Sequence, residues 1–524
     1  MKYTLDSKGK QYAKFPSDPI IRGSFYKLRK EYSKLCKLKH RQFKEKLIEK
    51  LDNLHENNPK EYWKLFNSLK NYSFDSPESQ ITNEEWVKHF KTLNMVPDKL
   101  SNRLSEIENI LKEEEKIKYF NSLDFKIGEN EISKAINALK CGKSAGLNGI
   151  MNEIIKISKE AIQPCLYKFF NSIFSTSIYP ECWCFAFIKP IFKSKDPTDP
   201  SNYRGITVMN CFAKLYNKIL NNRFEDFLDK NNIIVREQIG FQRKSRTSDH
   251  MFVLKTLIDK VTDSNNGKLF SCFVDFRKAF DTVVHPALFL KLLKLGIGSL
   301  FYKSLKAMYH HTSLRVKVND KLTPAFNSNI GVRQGDTISP NLFKVFINDL
   351  PSIFDNFCDP IILNNLKLNC LMFADDVVLF SESESGLQNA LNKLAKYCDD
   401  WCLTLNLDKT KVIIFSKSGR LIKRGFVFNN KTIECVQSYK YLGVIFTASG
   451  TFSQAKKDLS QRAMKGLFKL KSGFAILTPK ITSSLHIFDH TLKYSLVYGC
   501  EVWGVPSFKK GKNEFSLEQS FENF

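Results

Sequence analysis

The stretch Leu371-Met372-Phe373-Ala374-Asp375-Asp376-Val377-Val378-Leu379-Phe380 sets two adjacent carboxylates between two apolar runs. Apolar residues on both sides predict two paired, mostly buried strands, so Ala374, Asp375 and Asp376 are expected to form a tight hairpin turn. Neighbouring carboxylates repel each other and resist desolvation unless a cation compensates them. Asp is also an ordinary turn residue, and a solvated hairpin would explain the pair as well. The stretch alone therefore leaves a metal site and a plain turn open.

A second acidic position lies one hundred residues earlier, in the segment Ser271–Asp281. Here Asp275 ends an apolar strand, a position from which a side chain can lean over the sheet edge toward a metal. Carboxylate oxygens suit the hard ion Mg²⁺, which thiolates do not. Between the two acidic sites, Gly331–Phe343 predicts a loop that enters a helix at about Pro340. Each segment alone could be routine packing, but their order and spacing favour one site.

Bulk composition points to a nucleic-acid partner. The chain has 524 residues, 43% hydrophobic and 13% aromatic, which is ample for packed cores. Lys and Arg total 80 against 54 Asp and Glu, so the formal charge is +26. An excess of this size favours a polyanion, because phosphate contacts release counterions. We expect no membrane partner, since the sequence has no apolar run of eighteen residues and no lipidation signal.

The cysteines and the N-terminus predict an intracellular protein. Residues 1–6 lack the apolar core of a secretory signal, which indicates a reducing compartment. The thirteen cysteines are irregularly spaced and contain no Cys-x-x-Cys, so we expect free thiols and no structural zinc. The sequence carries no signal of oligomeric state.

The organisation along the chain predicts an α+β protein. From Arg22 to Lys50 there are eleven Lys or Arg against three Glu, which predicts a long basic helix, either a nucleic-acid contact or a solvated face. Residues 72–126 look like a polar, acidic connector with helical pieces, and a compact body is expected to begin at Ile127. From there to Phe415, helical periods alternate with short apolar strands, the pattern of a mixed sheet covered by helices. A basic helical segment follows Gly443.

Taken in this order, these motifs resemble the reverse transcriptases of non-LTR (LINE-type) retrotransposons, from about Ile127 to Gly443. The resemblance implies a right-hand polymerase with fingers, palm and thumb, an antiparallel palm sheet and a helical N-terminal extension. The implied domains are a basic helical extension and connector at 1–126, fingers with the start of the palm at 127–260, the palm at 261–447, and a helical thumb at 448–524. Because the chain stops without a recognisable helix end, we expect the thumb to be truncated. The nuclease that commonly precedes the polymerase in complete elements is not expected in these residues.

In that family the Phe-Ala-Asp-Asp hairpin and the Asp-containing strand build the active site. This implies that Asp275, Asp375 and Asp376 bind two Mg²⁺ ions, with Mn²⁺ as an alternative ion. Two such metals about 3.5 to 4 Å apart can activate a primer 3′-hydroxyl and stabilise a pyrophosphate leaving group. Lys409 resembles a catalytic Lys that protonates pyrophosphate, or stabilises its developing charge.

Further matches imply the sites for the dNTP and for the primer. Lys193 and Arg204 would grip the triphosphate, although exposed loop cations are common. Phe280 resembles the bulky gate that excludes a ribose 2′-hydroxyl, and its plain alternative is a core Phe. The complete implied sets are Lys193, Arg204, Phe280, Gln334, Gly335 and Asn406 for the dNTP, and Tyr441, Leu442 and Gly443 for the primer grip.

The sequence departs from the family pattern in two loops. In Gly142–Ile150, Ala145, Leu147 and Asn148 replace two prolines and an Asp, which should loosen the loop and its hold on the template. Gly205 stands where Pro is usual, a smaller loosening. We expect these changes to affect efficiency more than identity.

The function expected from the resemblance is an RNA-directed DNA polymerase that extends a DNA primer on an RNA template with dNTPs. The family's use of chromosomal DNA as primer implies residence in the nucleus and cytoplasm. Two alternatives stay open: a catalytically silent nucleic-acid-binding remnant, and an RNA-dependent RNA polymerase or intron-type maturase with the same palm chemistry.

Overall fold

The chain folds into two compact units. The computed structural model describes residues 1–58, 61–65, 81–97, 100–264, 266–354, 359–363, 366–473, 485–486 and 488–504. The first unit comprises residues 1–74, 455–500 and 504–524, and the second comprises residues 75–454 and 501–503. The expected truncation of the thumb concerns residues 505–524, which lie outside the described ranges.

Helices dominate both units. In the described ranges the α-helices are α1 Lys2–Lys14, α2 Pro19–Asn57, α3 Asn83–Leu93, α4 Ser101–Glu114, α5 Glu129–Asn137, α6 Asn152–Ile157, α7 Lys159–Thr176, α8 Glu181–Cys184, α9 Cys211–Lys230, α10 Thr247–Asp263, α11 His285–Lys294, α12 Leu300–His310, α13 Ser339–Phe346, α14 Glu384–Asp400, α15 Ser453–Gly473, α16 Lys493–Leu496 and α17 Cys500–Trp503. Shorter 3₁₀ helices span Ser122–Asp124, Pro200–Asn202 and Pro351–Phe354, and a π-helical turn spans Phe488–Leu492.

Within the described ranges, the strands all belong to the second unit. They are β1 Phe185–Phe192, β2 Tyr203–Val208, β3 Lys268–Asp275, β4 Thr312–Val318, β5 Lys321–Leu322, β6 Phe326–Ser328, β7 Ile361–Leu363, β8 Leu366–Leu368, β9 Cys370–Phe373, β10 Asp376–Ser381, β11 Lys411–Ser416, β12 Val427–Phe428, β13 Lys431–Thr432, β14 Ser438–Tyr441 and β15 Val444–Thr447. Together with the helices they make an α+β fold, as the sequence predicted.

The long basic helix is present as α2. Asp18 caps its start by accepting hydrogen bonds from the backbone N–H groups of Ile20 and Ile21 at 2.8 and 3.1 Å. Pro19 occupies the first turn, where its missing N–H costs nothing. The preceding helix α1 pairs with α2, and the rings of Tyr12 and Phe25 stack with their centroids 5.1 Å apart. The prediction of a helix from Arg22 to Lys50 is confirmed.

The second unit begins near residue 75 rather than at the expected Ile127. The reason is that α3 and α4 are amphipathic and bury large apolar side chains. Trp86 and Phe90 of α3, and Ile107 and Leu111 of α4, are buried in the same hydrophobic core as the strands. The segment expected to be a polar connector therefore contributes to the core.

Two sheets organise the second unit. The larger one has the order β2-β1-β4-β5 with β6 also paired to β4, and it is mixed because β1 and β4 run parallel. The smaller one has the order β11-β3-β10-β9 and all its pairs are antiparallel. Strand β3 lies between two neighbours and is buried along most of its length, which explains its continuous apolar sequence.

Both faces of the four-stranded sheet are covered. Helix α14 contacts β3 and β10, and its Leu387, Leu391 and Leu394 lie in the core. On the other face, Phe273 of β3 stacks on Tyr439 of β14 with ring centroids 4.6 Å apart. Burial on both faces leaves the ends of the strands as the places where polar side chains reach solvent.

Two remaining expectations concern the whole chain. In the part of the chain that the structure describes, all cysteines are free thiols. Within the same ranges, none of the helices combines the length and the apolarity that crossing a membrane requires.

Candidate active site

The Asp-Asp stretch forms the predicted hairpin. Strands β9 and β10 pair in antiparallel register, with Phe373 opposite Asp376, and Ala374 and Asp375 make the turn between them. Ala374 has a φ of 56°, in the left-handed region that is unfavourable for a residue with a Cβ. The turn is therefore held in a strained conformation, and neighbouring groups must stabilise it.

Gln238 supplies that stabilisation. Its buried side chain accepts a hydrogen bond from the backbone N–H of Ala374 at 2.9 Å and donates one to the Ala374 carbonyl at 3.2 Å. It also accepts the N–H of Gly240 at 2.8 Å. The backbone around Gln238 pairs with Met372, because the Met372 N–H donates to the Glu237 carbonyl at 2.8 Å. Residues 237–240 thus brace the turn from behind.

The register of β3 and β10 brings the acidic sites together. Asp376 is the direct partner of Asp275 across the antiparallel pair. Directly opposite residues have Cα atoms about 4.5 to 5.5 Å apart and project their side chains to the same face. Asp375 lies next to them at the tip of the turn, so the two motifs that are one hundred residues apart in sequence end at the same sheet edge.

Asp275 is fixed by the segment that follows α14. Its backbone N–H donates to the Thr410 hydroxyl at 3.2 Å, and its carbonyl accepts the N–H of Asn406 at 2.8 Å. Lys409 lies in the same segment, and its Nζ is 3.5 Å from an Asp275 carboxylate oxygen. The predicted residues Asn406 and Lys409 therefore lie beside the carboxylates.

The electrostatics of the cluster are unfavourable to an uncompensated charge. Partial burial and the charges of Asp375 and Asp275 raise the pKa of Asp376 to about 6. Burial also raises the pKa of Asp375, and the Asp275 charge adds to the effect, while Arg204 and Lys193 oppose it. Carboxylates crowded in this way are stabilised in the ionised form by a nearby cation.

The cluster has the chemistry of a site for a hard divalent ion. All three side chains offer carboxylate oxygens, and their mutual repulsion would be relieved by a bound cation. In the described ranges no group of three or more His, Cys, Asp or Glu side chains stands in an arrangement that could hold a metal as it is. The donor set therefore fits such an ion chemically, while the side chains are not yet arranged as a closed site.

Lys193 and Arg204 come from the edge of the five-stranded sheet. Arg204 is the partner of Ile191 in the β1–β2 pair, and the Lys193 N–H donates to the Asn202 carbonyl at 2.9 Å. Partial burial lowers the pKa of Lys193, and the charges of Arg204 and Lys409 lower it further. Both cations act electrostatically on Asp375 and oppose the rise in its pKa.

The loop with Gln334 and Gly335 crosses the same sheet edge. The Gln334 carbonyl accepts the N–H of Thr207 in β2 at 2.7 Å. Its side-chain amide donates to an Asp281 carboxylate oxygen at 2.8 Å. The helix that follows, α13, begins at Ser339 with Pro340 in its first turn, which confirms the predicted entry.

Phe280 lies between two other aromatic rings. It stacks on Phe343 of α13 with centroids 4.5 Å apart and meets Phe241 edge-on at 6.2 Å. Phe280 is half-buried. Its ring is thus fixed by packing while part of it faces solvent, an arrangement that permits either of its two predicted roles.

The predicted primer-grip residues form the β14–β15 hairpin. Tyr441 pairs with Val444, so Leu442 and Gly443 are the two turn residues, and both have positive φ. The hairpin lines a cleft whose other wall includes Asp376. Tyr441 is buried against Phe273, with ring centroids 5.6 Å apart. The turn therefore lies next to the carboxylate cluster.

Helix α3 reaches the site from the segment that the sequence predicted to be a connector with helical pieces. The side-chain nitrogen Nζ of Lys278 lies 3.4 Å from Nε2 of His89. Burial and the Lys278 charge lower the pKa of His89 to about 4, so the neutral ring accepts this hydrogen bond near pH 7. Phe90 packs on Gly205, where an added Cβ would lie only 2.6 Å from its ring. Gly205 is therefore densely packed, in contrast to the expected loosening.

Sequence reasoning missed Gln238, His89 and the role of Asp281. For Gln238, the available signal was a glutamine directly before an apolar residue and a glycine, in Gln238-Ile239-Gly240-Phe241. Asp281 follows Phe280 directly and could have been noticed as the second acidic residue of the segment Ser271–Asp281. Nothing local to His89 indicated its position, because only the packing of α3 brings it to Lys278.

We expect Gly205→Ala to destabilise the protein. The new methyl group would also meet Cγ2 of Ile188 at 2.9 Å, and forcing a methyl group into a packed core lowers the free energy of unfolding by about 2 kcal/mol. Thermal and urea unfolding followed by circular dichroism would measure it.

A second substitution tests the cause. Adding Phe90→Leu should recover part of the loss, since the ring is what the new methyl group meets. Gly425→Ala is the matched control, because no atom lies within 4 Å of its added Cβ. If Gly205→Ala and Gly425→Ala have the same free energy of unfolding, α3 does not pack closely on β2.

Known proteins share this chain's central region. Residues 192–446 match the family described as reverse transcriptase (RNA-dependent DNA polymerase). The chain is 26% identical over 406 residues to a probable RNA-directed DNA polymerase from transposon BS of Drosophila melanogaster, an alignment that covers 75% of this chain and 43% of that protein. It is 25% identical over 405 residues to the RNA-directed DNA polymerase from mobile element jockey of the same species, covering 74% and 43%.

A further relative is the retrovirus-related Pol polyprotein from type-1 retrotransposable element R2 of Nasonia vitripennis, 24% identical over 330 residues, or 60% of this chain and 31% of that protein. Apo telomerase from Candida tropicalis superimposes with a TM-score of 0.36 and 12% identity over 54% of this chain and 59% of that one, too weakly to establish a shared fold. The chain spans about 43% of the length of the two fly proteins. The chain is therefore similar to reverse transcriptases through residues 192–446, and over about three quarters of its length to the RNA-directed DNA polymerases of transposable elements.

Proposed function

We propose that this chain is an RNA-directed DNA polymerase that extends a DNA primer on an RNA template. The observation that carries the proposal is the pairing of Asp376 with Asp275 across β10 and β3, with Asp375 beside them. Nucleotidyl transfer needs carboxylates that hold metal ions and cations that stabilise the developing negative charge. The three Asp residues could serve the first need and Lys193 the second.

The architecture we propose follows the polymerase hand. The four-stranded sheet would be the palm, and the five-stranded sheet with its surrounding helices the fingers. Helix α15 would be the thumb, and α1 with α2 part of the N-terminal extension. The proposed limits are 127–260 for the fingers and start of the palm, 261–447 for the palm and 448–524 for the thumb.

Asp275, Asp375 and Asp376 would hold the catalytic Mg²⁺ ions, or Mn²⁺ in their place. Bound metal would supply charge stabilisation for the attacking and the leaving oxygens. The reaction forms a bond between the primer 3′-oxygen and the α-phosphorus of the dNTP. The bond from that phosphorus to the pyrophosphate oxygen breaks, and the proton of the 3′-hydroxyl is released.

The surrounding residues would bind and orient the reactants. Lys193 and Arg204 would hold the triphosphate, and Lys409 would offset the charge that develops on pyrophosphate. The support for these roles is that all three cations lie near the carboxylates. Gln334, Gly335 and Asn406 would complete the nucleotide pocket; the hydrogen bond between Asn406 and the Asp275 backbone supports the role of Asn406.

Tyr441, Leu442 and Gly443 would grip the primer end. The cleft between their hairpin and Asp376 supports this role, since a primer terminus lying there would present its 3′-hydroxyl to the carboxylates. The net charge of +26 supports an RNA template and a DNA primer as partners, because phosphates attract a basic protein. We propose residence in the nucleus and cytoplasm on the family resemblance alone.

Phe280→Ala should relax the choice of sugar. If Phe280 blocks the 2′-hydroxyl, removing its ring should raise kcat/KM for NTPs relative to dNTPs by about 100-fold, since a steric clash is removed. Single-nucleotide incorporation with each nucleotide on the same primer-template measures the ratio.

The matched control is Phe169→Ala. Phe169 is a partly exposed residue of helix α7 that packs edge-on against Trp183, with ring centroids 5.6 Å apart. It should leave the sugar preference unchanged. An unaltered ratio in Phe280→Ala would assign this Phe to packing only. A wild-type preference for NTPs would instead favour an RNA polymerase.

Primer extension tests the proposed function itself. Purified full-length chain, an RNA template with an annealed DNA primer, dNTPs and Mg²⁺ should give template-directed extension that stops when EDTA is added. Folded protein that binds the primer-template but extends it no further than the Asp375→Ala variant would contradict the proposal. That result would favour a silent nucleic-acid-binding remnant.

A further inference from the structure

Asp281 lies beside Gln334, one of the residues proposed for nucleotide binding, but belongs to neither the proposed metal-binding nor the proposed triphosphate-binding set. It follows Phe280 in the turn after β3 and accepts the hydrogen bond from the Gln334 amide at 2.8 Å. The two segments are also joined through their backbones, because the N–H of Val332 donates to the Phe280 carbonyl at 2.8 Å. The Asp281 side chain and the Phe280 backbone therefore join the turn after β3 to the loop that contains Val332 and Gln334.

Three cations act electrostatically on this carboxylate. Lys278, Lys193 and Arg204 all act electrostatically on Asp281, and it acts in return on the two lysines. Burial raises the pKa of Asp281 to about 6 although these charges oppose the shift, so the carboxylate is largely ionised near pH 7. One negative charge is thus shared among cations that would otherwise repel each other.

A small cavity lies beside Asp281 and Gln334. Its lining also includes the apolar side chains of Phe90, Ile188 and Leu314 and the polar side chains of Asn94, Thr207 and Ser328. A Gln334 amide that lost Asp281 would have to turn toward solvent or toward another acceptor, so its present position depends on the Asp281 carboxylate.

We propose that Asp281 is a positioning residue for the nucleotide site: its carboxylate holds the amide of Gln334 and spaces Lys193 and Lys278 for an incoming deoxynucleoside triphosphate. The inference rests on the proposed polymerase function and deepens it. Asp281 itself does not touch the reacting atoms. Its contribution would appear in nucleotide binding, since the cations and the amide it orients are those that would face the nucleotide.

Asp281→Ala should raise KM for the dNTP about tenfold, because coupled residues in one hydrogen-bond network interact by about that factor. The value of kcat should change by less than about threefold, as expected when an interaction made equally in the ground and transition states is lost. Asp281→Asn keeps an oxygen acceptor for Gln334 and should raise KM less. Steady-state incorporation of one nucleotide on a fixed primer-template measures both constants.

A donor–acceptor exchange provides the sharper test with substitutions of nearly equal size. Gln334→Glu would set two carboxylates against each other and should raise KM strongly. Combining it with Asp281→Asn restores a donor and an acceptor in reversed order, and should lower KM about tenfold relative to Gln334→Glu alone. If the double variant is no better than the single one, or if Asp281→Ala leaves KM unchanged, the inference is overturned.

Controls separate this inference from the others. Asp263→Ala changes an exposed acidic residue at the end of α10 and should match wild type in KM, kcat and melting temperature. If Asp281→Ala fails to fold, the exchange pair decides the question. Wild-type protein without primer extension would refute the proposed function, whereas active wild type with an unaffected exchange pair would refute only the role of Asp281.

Discussion

Asp375→Ala should reduce primer extension by about a thousandfold or more, since in the proposed mechanism it removes a ligand of the charge-stabilising metal ions. Asp375 lies at the turn tip next to Asp275 and Asp376, and Lys193 and Arg204 act on it electrostatically. Single-turnover extension with saturating dNTP and Mg²⁺ would measure the loss, because it reports the chemical step rather than product release.

The same substitution should leave folding and template binding intact. Removing one of several repelling carboxylates relieves unfavourable electrostatics, so the melting temperature should stay the same or rise. Affinity for RNA should not fall, since no cation is lost. Asp263→Ala again serves as the matched acidic control. Extension by Asp375→Ala within about tenfold of wild type would remove this carboxylate from the catalytic set.

Gly240→Ala should lower kcat by about 100-fold, although the residue bears no functional group. An added Cβ would lie 2.1 Å from the backbone nitrogen of Ala374 and 2.8 Å from Oε1 of Gln238. Backbone atoms cannot rotate away, so the catalytic turn itself must shift. A displacement of about 1 Å at a reacting centre can cost a factor of this size. Primer extension under single-turnover conditions, beside circular dichroism, would measure it.

Gly425→Ala is the control, because its added methyl group has open space around it and it introduces the same change in backbone freedom. It should extend primers at the wild-type rate. Wild-type activity in Gly240→Ala would show that the turn tolerates displacement, and that the bracing by residues 237–240 does not matter for catalysis. A Gly240→Ala variant with the wild-type melting temperature and a lowered kcat would support the conclusion that residues 237–240 hold the turn in its active position.

The local elements could be predicted because each has a short-range cause. Apolar runs on both sides of Asp375 predict strands, and the turn is confirmed between β9 and β10. Pro340 at a helix start and the length of α2 follow from capping and from the spacing of apolar residues. The roles of the nine residues implied for the dNTP and the primer came from family resemblance, and they stay predictions.

The boundary of the second unit was not predictable from composition. Residues 72–126 are polar on average, yet α3 and α4 each bury one apolar face in the core. Average polarity hides such a face, because a helix needs only one apolar stripe to join a core. The same packing brings His89 to Lys278, a contact between residues 189 positions apart.

The sequence by itself determined that two acidic motifs end strands, that a basic chain would favour a polyanion, and that a helix begins near Pro340. Only the tertiary structure decided that Asp376 lies opposite Asp275, that Gln238 supports the strained Ala374, and that Asp281 holds Gln334. The physical reason is range: strand, turn and helix signals act over a few residues, whereas register and buried hydrogen bonds join segments that only the complete packing brings together.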